Sequence, residues 1–205
     1  MKLYFLKNTI FIFVLFSLFS CHSIQDRTDK IHHTRIAKVV PGIYKNDSDI
    51  SFSKSQDTIY FNNNLFTGYR YRLYENKDTS FVQSYFNGVE EGFQRKWFQN
   101  KQLEEERFYI NGKKEGVHKG WWMNGNPRFY FTVINNENEG IFKEWTESGL
   151  LIKFFHYENG REEGSQRLWW NDGSVRANYV IKKGKKYGLL GLKACINPYD
   201  SIIKK

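Results

Sequence analysis

The chain has 205 residues, with 31 Lys and Arg against 22 Asp and Glu, 18% aromatic residues and only two cysteines, Cys21 and Cys195. Two cysteines exclude a disulfide-stapled scaffold. The basic excess is modest and threaded with acidic runs such as Glu104–Glu106 and Glu162–Glu163, the pattern of a solvated, mixed-charge surface rather than a dense polyanion-binding patch.

At the N-terminus Lys2 and Lys7 precede the apolar run Thr9–Phe16, which ends at Ser17-Leu-Phe-Ser-Cys21. This is the layout of a signal peptide over residues 1–20, too short and interrupted for a membrane span, which needs about 20 apolar residues. Leu18-Phe-Ser-Cys21 resembles the lipobox of bacterial lipoproteins, with Phe19 bulkier than the usual residue there. The resemblance implies that Cys21 carries diacylglycerol and becomes the new N-terminus. Several acyl chains on one residue supply the two signals that stable anchoring needs. The chain is then tethered to the membrane, not spanning it. His22 after the cysteine, by similarity to the sorting rule of enteric bacteria, favours the outer membrane. Loss of Lys2 and Lys7 leaves 29 basic against 22 acidic residues, +7. An exported address argues against nucleic acid as the partner. Cys195 is left without an intramolecular disulfide partner and reads as a small buried hydrophobe.

Residues 21–58 are polar with scattered Ser and Asp, a tether in which Arg35–Tyr44 is apolar enough for an N-terminal cap strand. From there Gly68, Gly92, Gly116, Gly140, Gly164 and Gly188 recur every 24 residues without an insertion. The regular copies are Tyr85-Phe-Asn-Gly-Val-Glu-Glu-Gly92, Tyr109-Ile-Asn-Gly-Lys-Lys-Glu-Gly116 and Tyr157-Glu-Asn-Gly-Arg-Glu-Glu-Gly164. Degenerate copies at Phe61–Gly68, Val133–Gly140 and Ile181–Gly188 share the register, giving six copies over residues 59–192, the last truncated. Asn-Gly between apolar runs is a tight hairpin turn, since both residues tolerate positive φ.

Five residues past each glycine stands a large side chain: Leu73, Trp97, Trp121, Trp145 and Trp169. Phe93, Val117 and Ile141 share its parity, while Gln94, Lys96, Glu144 and Gln166 occupy the other; the alternation predicts a strand. A second turn follows at Asn100-Lys101, Asn124-Gly125, Ser148-Gly149 and Asp172-Gly173, then a second strand such as Val175–Ile181. The expected fold is all-β: an elongated antiparallel meander of two-stranded repeats forming an open or gently curved single-layer sheet, about ten to twelve strands long, with the Trp and aliphatic columns on one face and the other face more polar. A closed sandwich or barrel is the alternative. Residues 193–205 follow as a C-terminal cap and tail.

The Tyr-x-Asn-Gly-Lys-x-x-Gly core at Tyr85, Tyr109 and Tyr157, followed by a Trp or aromatic strand and a second Asn-Gly or Asp-Gly, resembles the membrane occupation and recognition nexus (MORN) repeat, in the bacterial form found in the YwqK family of antitoxin-like proteins. The similarity covers residues 61–190. It departs at Asn136 and Lys101, which replace turn glycines, and in the first copy, which lacks Asn-Gly. It implies a β-hairpin scaffold that binds partners or lipids.

The histidines at 22, 32, 33, 118 and 156 fall in no metal-ligand spacing, and His118 is expected on the polar parity. No nucleophile elbow or phosphate loop is present, so no enzyme, metal or cofactor is expected. The expected function is a lipid-anchored envelope scaffold that binds a protein partner through Trp97, Trp121, Trp145 and Trp169. The alternative is a polysaccharide or envelope-polymer module, with aromatics stacking on sugars and Arg or Lys holding anions. An antitoxin-like neutraliser ranks third. Exposed aromatics with a polar rim favour sugar; a continuous apolar strip favours protein.

Overall fold

The structure, a computed structural model, describes residues 36–191. The expected signal peptide over residues 1–20, Cys21, the first part of the expected tether and Cys195 lie outside the described residues. Seventeen strands follow one another with no helix between them: β1 (Tyr44–Asn46), β2 (Phe52–Ser55), β3 (Thr58–Phe61), β4 (Asn64–Leu65), β5 (Gly68–Leu73), β6 (Thr79–Phe86), β7 (Val89–Trp97), β8 (Leu103–Ile110), β9 (Lys113–Lys114), β10 (Gly116–Trp121), β11 (Pro127–Ile134), β12 (Glu137–Trp145), β13 (Leu151–Glu158), β14 (Arg161–Glu162), β15 (Gly164–Trp169), β16 (Val175–Lys182) and β17 (Lys185–Leu189). Fourteen of them form one sheet, taken in chain order from β5 onward and not closed into a barrel. All-β and meandering, it is the expected architecture.

The Asn-Gly turns make this topology. Asn87 and Gly88 have φ of 50° and 79°, and Asn159 and Gly160 have 50° and 75°. Positive φ at both central residues defines the primed turn whose twist matches that of antiparallel strands. Asn135-Asn136 adopts the same geometry at 53° and 72°, so the missing glycine there is tolerated by asparagine. At the opposite end of each hairpin the chain turns differently. Gly125 donates its N–H to the Trp122 carbonyl at 2.9 Å, and Trp122 donates to the Asn126 carbonyl at 2.8 Å. A register shift lies beside each of Leu73, Trp97, Trp121, Trp145 and Trp169.

Successive copies are locked together by a second ladder. Glu91, Glu115, Glu139 and Glu163 each accept the backbone N–H of the residue 20 positions on, at 2.7, 2.9, 2.8 and 3.1 Å. In the first copy the Thr67 hydroxyl does this for Asn87 at 2.8 Å. The Glu before Gly92, Gly116, Gly140 and Gly164 is thus a clamp on the next turn.

The N-terminal end differs from a uniform array in two ways. The turn region of the degenerate first copy departs from the main sheet, which the copy rejoins at Gly68: β2, β3 and β4 form a separate three-stranded sheet, packed through Ile59, Phe66 and Tyr85. Within the stretch expected as a tether, β1 pairs in parallel with β5, and Asp47 just beyond it binds Arg70 and Arg72. This covers the edge that the first hairpin would expose.

The two faces are the reverse of the expected polarity. Directly paired residues share a face, and the parity of Gln94, His118, Phe142 and Gln166 faces Arg107, Phe131, Phe155 and Tyr179. This is the packed face: His118 and Gln166 are 0% exposed, with Val133, Phe155, Ala177, Tyr179 and Ile181 also buried. Phe93 and Ile141, on the other parity, are 45% and 40% exposed. The physical reason is that Gln can be buried at no net cost when its amide is satisfied. Gln94 accepts from the Ser84 N–H and donates to the Ser84 carbonyl, and Gln166 does the same with His156. His118 is instead enclosed by rings, stacked on Phe131 at 5.2 Å, with Phe142 stacked on the far side of Phe131 at 5.1 Å.

Candidate functional face

The Trp column stands at the ends of β7, β10, β12 and β15, and it is not a free apolar patch. Trp97, Trp121, Trp145 and Trp169 are each half-buried. Each pairs with an apolar residue across the register shift: Leu103, Pro127, Leu151 and Val175. Their carbonyls help to join copies. Tyr74 donates its hydroxyl to the Trp97 carbonyl at 2.7 Å, and the Trp122 indole N–H reaches the Trp145 carbonyl at 3.1 Å. The more exposed ring is Trp170, at 53%, with the Arg176 guanidinium 4.7 Å from its centroid. The sequence offers it only as the second member of Trp169-Trp170.

The turn glycines serve the hairpins rather than a ligand. Gly68 shows the tightest constraint: a Cβ there would sit 2.5 Å from the Ile43 carbonyl, which itself accepts the Tyr69 N–H.

Two cation positions per hairpin separate cleanly by face. On the packed face Arg107 and Arg128 flank Phe129 at 5.2 Å each, and both bind the Glu105 carboxylate. Burial pushes the Glu105 carboxyl upward, but the Arg107 hydrogen bond and positive charge outweigh it and hold the group below the usual carboxylate range. Tyr109 nearby is pushed up to about 12 by burial and by Glu90. His118 is pushed down to about 4, by burial first and then by Arg107 and Lys114. These groups are committed to one another.

The open face is arranged differently. Strand pairing places a single row across it: Val82, Arg95, Glu106, Lys119, Tyr130, Lys143, Phe154, Arg167 and Asn178, each directly opposite the next. The four cations stand 24 residues apart in sequence and on every second strand in space, so neighbours are about 10 Å apart. Arg95 is paired with Glu106 at 2.8 Å. Lys119, Lys143 and Arg167 have no carboxylate within ion-pair distance among the described residues. The neighbouring row toward the Asn-Gly turns is uncharged, with Phe93 opposite Phe108, Val117 opposite Thr132, Ile141 opposite His156 and Ser165 opposite Val180. The Trp column bounds the other side.

At the β1 end a cleft of about 430 Å³ opens onto this row, with Phe93, Arg95 and Trp97 on its floor and Lys38 and Tyr44 on its wall. The wall is held by the fully buried Glu91, which accepts the Lys38 N–H at 2.7 Å, and by Tyr44 stacked on Tyr69 at 4.8 Å.

Among the described residues no three His, Cys, Asp or Glu side chains converge as a metal would require, and no helix is long and apolar enough to cross a membrane. The chain matches no family model and no curated protein.

Proposed function

We propose that this chain is a lipid-anchored, non-catalytic binding scaffold of the bacterial cell envelope, tethered through acylated Cys21 and presenting the open face of its repeat sheet to an extended envelope polymer. The observation that carries the reading is the cation row: among the described residues three of its four cations have no carboxylate within ion-pair distance, and Tyr130 and Phe154 stand between them. Internal packing does not require such a row, because the packed face already neutralises its own cations. Half-buried aromatics set singly between cations suit a polymer chain, whose acidic groups meet the cations while its apolar ring faces cover the aromatics. A protein partner along the Trp edge is the second reading, favoured by the exposure of Trp170 and Leu73. The MORN-like motif and the lipobox resemblance support the scaffold and the anchor respectively.

The test pairs address with binding. Wild type and Cys21→Ala are expressed in a bacterium that processes lipoproteins, and intact mass and membrane partition are measured. A mature wild-type chain beginning at acylated Cys21, with the variant released or unprocessed, is the expected result. An unmodified cytoplasmic chain would overturn the address. The released variant is then sedimented with isolated envelope polymer, and should pellet with it.

A further inference from the structure

We infer that the open face binds a linear acidic polysaccharide carrying one carboxylate on every second sugar, laid across the strands along the row from Arg95 to Arg167. The inference rests on the scaffold reading above, because it names the ligand of the same face.

Three features of the row select this chemistry. The first is period. Cations recur on alternate strands at about 10 Å, close to the length of two β-linked sugar rings in an extended chain, so a charge on every second ring meets one cation per disaccharide. The second is alternation. Lys119, Lys143 and Arg167 are separated by Tyr130 and Phe154 in direct register, so the uncharged ring of each disaccharide falls over an aromatic side chain while the acidic ring falls beside a cation. Sugar rings present an apolar C–H face that an aromatic can cover, as it covers other apolar surface. The third is confinement. The charge sits in single file between an uncharged row and the Trp column, which suits a chain rather than a charged plane. Glu106 at the Arg95 end leaves the net attraction strongest from Lys119 to Arg167.

The other polyanions fit less well. A nucleic acid strand carries a phosphate about every 3.4 Å in a duplex, so most phosphates would meet no cation in a row spaced at three times that distance. An anionic bilayer presents diffusing headgroups over an area and gains nothing from a fixed linear period; its peripheral binders add apolar side chains that insert, and the rings of this row are half-buried within the sheet.

The test uses the full secreted chain carrying Cys21→Ala, titrated calorimetrically with a decasaccharide of hyaluronan, in which glucuronate alternates with an uncharged N-acetylated sugar. Parallel titrations use a polygalacturonate oligomer of equal length, an uncharged chitin oligomer and phosphatidylglycerol vesicles. Saturable hyaluronan binding is expected, at least tenfold tighter than either oligomer. It should weaken about tenfold in Lys143→Gln and further in the Lys119→Gln/Lys143→Gln pair, and stay unchanged in Lys186→Gln, which lies off the row. Phe154→Leu should weaken binding while leaving its salt dependence as in wild type. Circular dichroism establishes that each variant is folded. Equal or tighter binding of polygalacturonate, equal binding of chitin, or binding to vesicles alone would overturn the inference. If hyaluronan fails while the protein still pellets with envelope polymer and Lys143→Gln reduces pelleting, the ligand class falls and the scaffold stands. If pelleting fails as well, both fall.

Discussion

Glu139 accepts the backbone N–H of Asn159 at 2.8 Å, tying one hairpin to the turn of the next. The same bond recurs from Glu91 to Asn111 and from Glu163 to Lys183. A hairpin turn has an N–H that its own strands cannot satisfy, and a carboxylate one copy earlier meets it with a charge-assisted bond. Glu139→Ala should therefore lower stability by about 1–2 kcal/mol, and Glu139→Gln by roughly half as much, since the amide oxygen still accepts. Urea unfolding checks this. Equal losses in the two variants would mean that the carboxylate acts through packing or net charge instead.

Much of this architecture is legible in sequence, and the gaps have physical causes. Asn87-Gly88 and Asn159-Gly160 announce their turns because positive φ at two successive residues selects few residue types. Glu139 is visible as a repeated residue, yet its partner is a backbone N–H one copy away, which carries no side-chain signature. The polarity of the faces is not legible in sequence because Gln94 and Gln166 look solvent-bound; their burial depends on the Ser84 and His156 backbones across the hairpin. The cation row, likewise, is written every 24 residues, but the rings between the cations come from the intervening strands, and only pairing brings Tyr130 between Lys119 and Lys143.

Gly120 lies directly opposite Phe129, whose ring occupies the space a Cβ would need. Gly120→Ala should cost about 1–3 kcal/mol through overpacking. In a Phe129→Ala background the same change should be close to neutral, giving a coupling in a double-mutant cycle. Additive losses would show that the glycine is required by the backbone and not by the ring.

His118 gives the fold a pH dependence. Its ring is fully buried among Tyr109, Phe131 and the strand backbone, and its pKa is pushed down to about 4 from an ordinary 6.5. As pH falls the unfolded chain takes up this proton first. The stability contributed by the neutral ring is therefore complete above about pH 6.5 and is lost progressively toward pH 4, on the order of 3 kcal/mol in all. His118→Gln places here the residue found at 94 and 166, with the Phe108 backbone available as its partner. Urea midpoints compared at pH 7.5 and pH 5 should fall in wild type and fall less in the variant. Parallel losses in both proteins would assign the dependence to other groups.

Asp47 anchors the edge strand without being part of any repeat. Its side chain is 5% exposed and binds both Arg70 and Arg72, with Arg72 Nε donating at 2.8 Å. Its backbone N–H donates to the Tyr71 carbonyl at 2.7 Å and Tyr69 donates to the Ile43 carbonyl at 2.7 Å, flanking a parallel pairing of β1 with β5 that is only three residues long, so this charge adds to a short ladder. Asp47→Asn leaves two arginines short of a counter-charge and should weaken the attachment by about 1–3 kcal/mol. Because a short edge strand can open without unfolding the sheet, the loss should be local. Hydrogen exchange should accelerate at Tyr69 and Asp47 while the Asn111 and Asn159 amides, held by Glu91 and Glu139, keep their protection. Equal acceleration at all four would mean that β1 is a cooperative part of the array and that its removal unravels the repeats in turn.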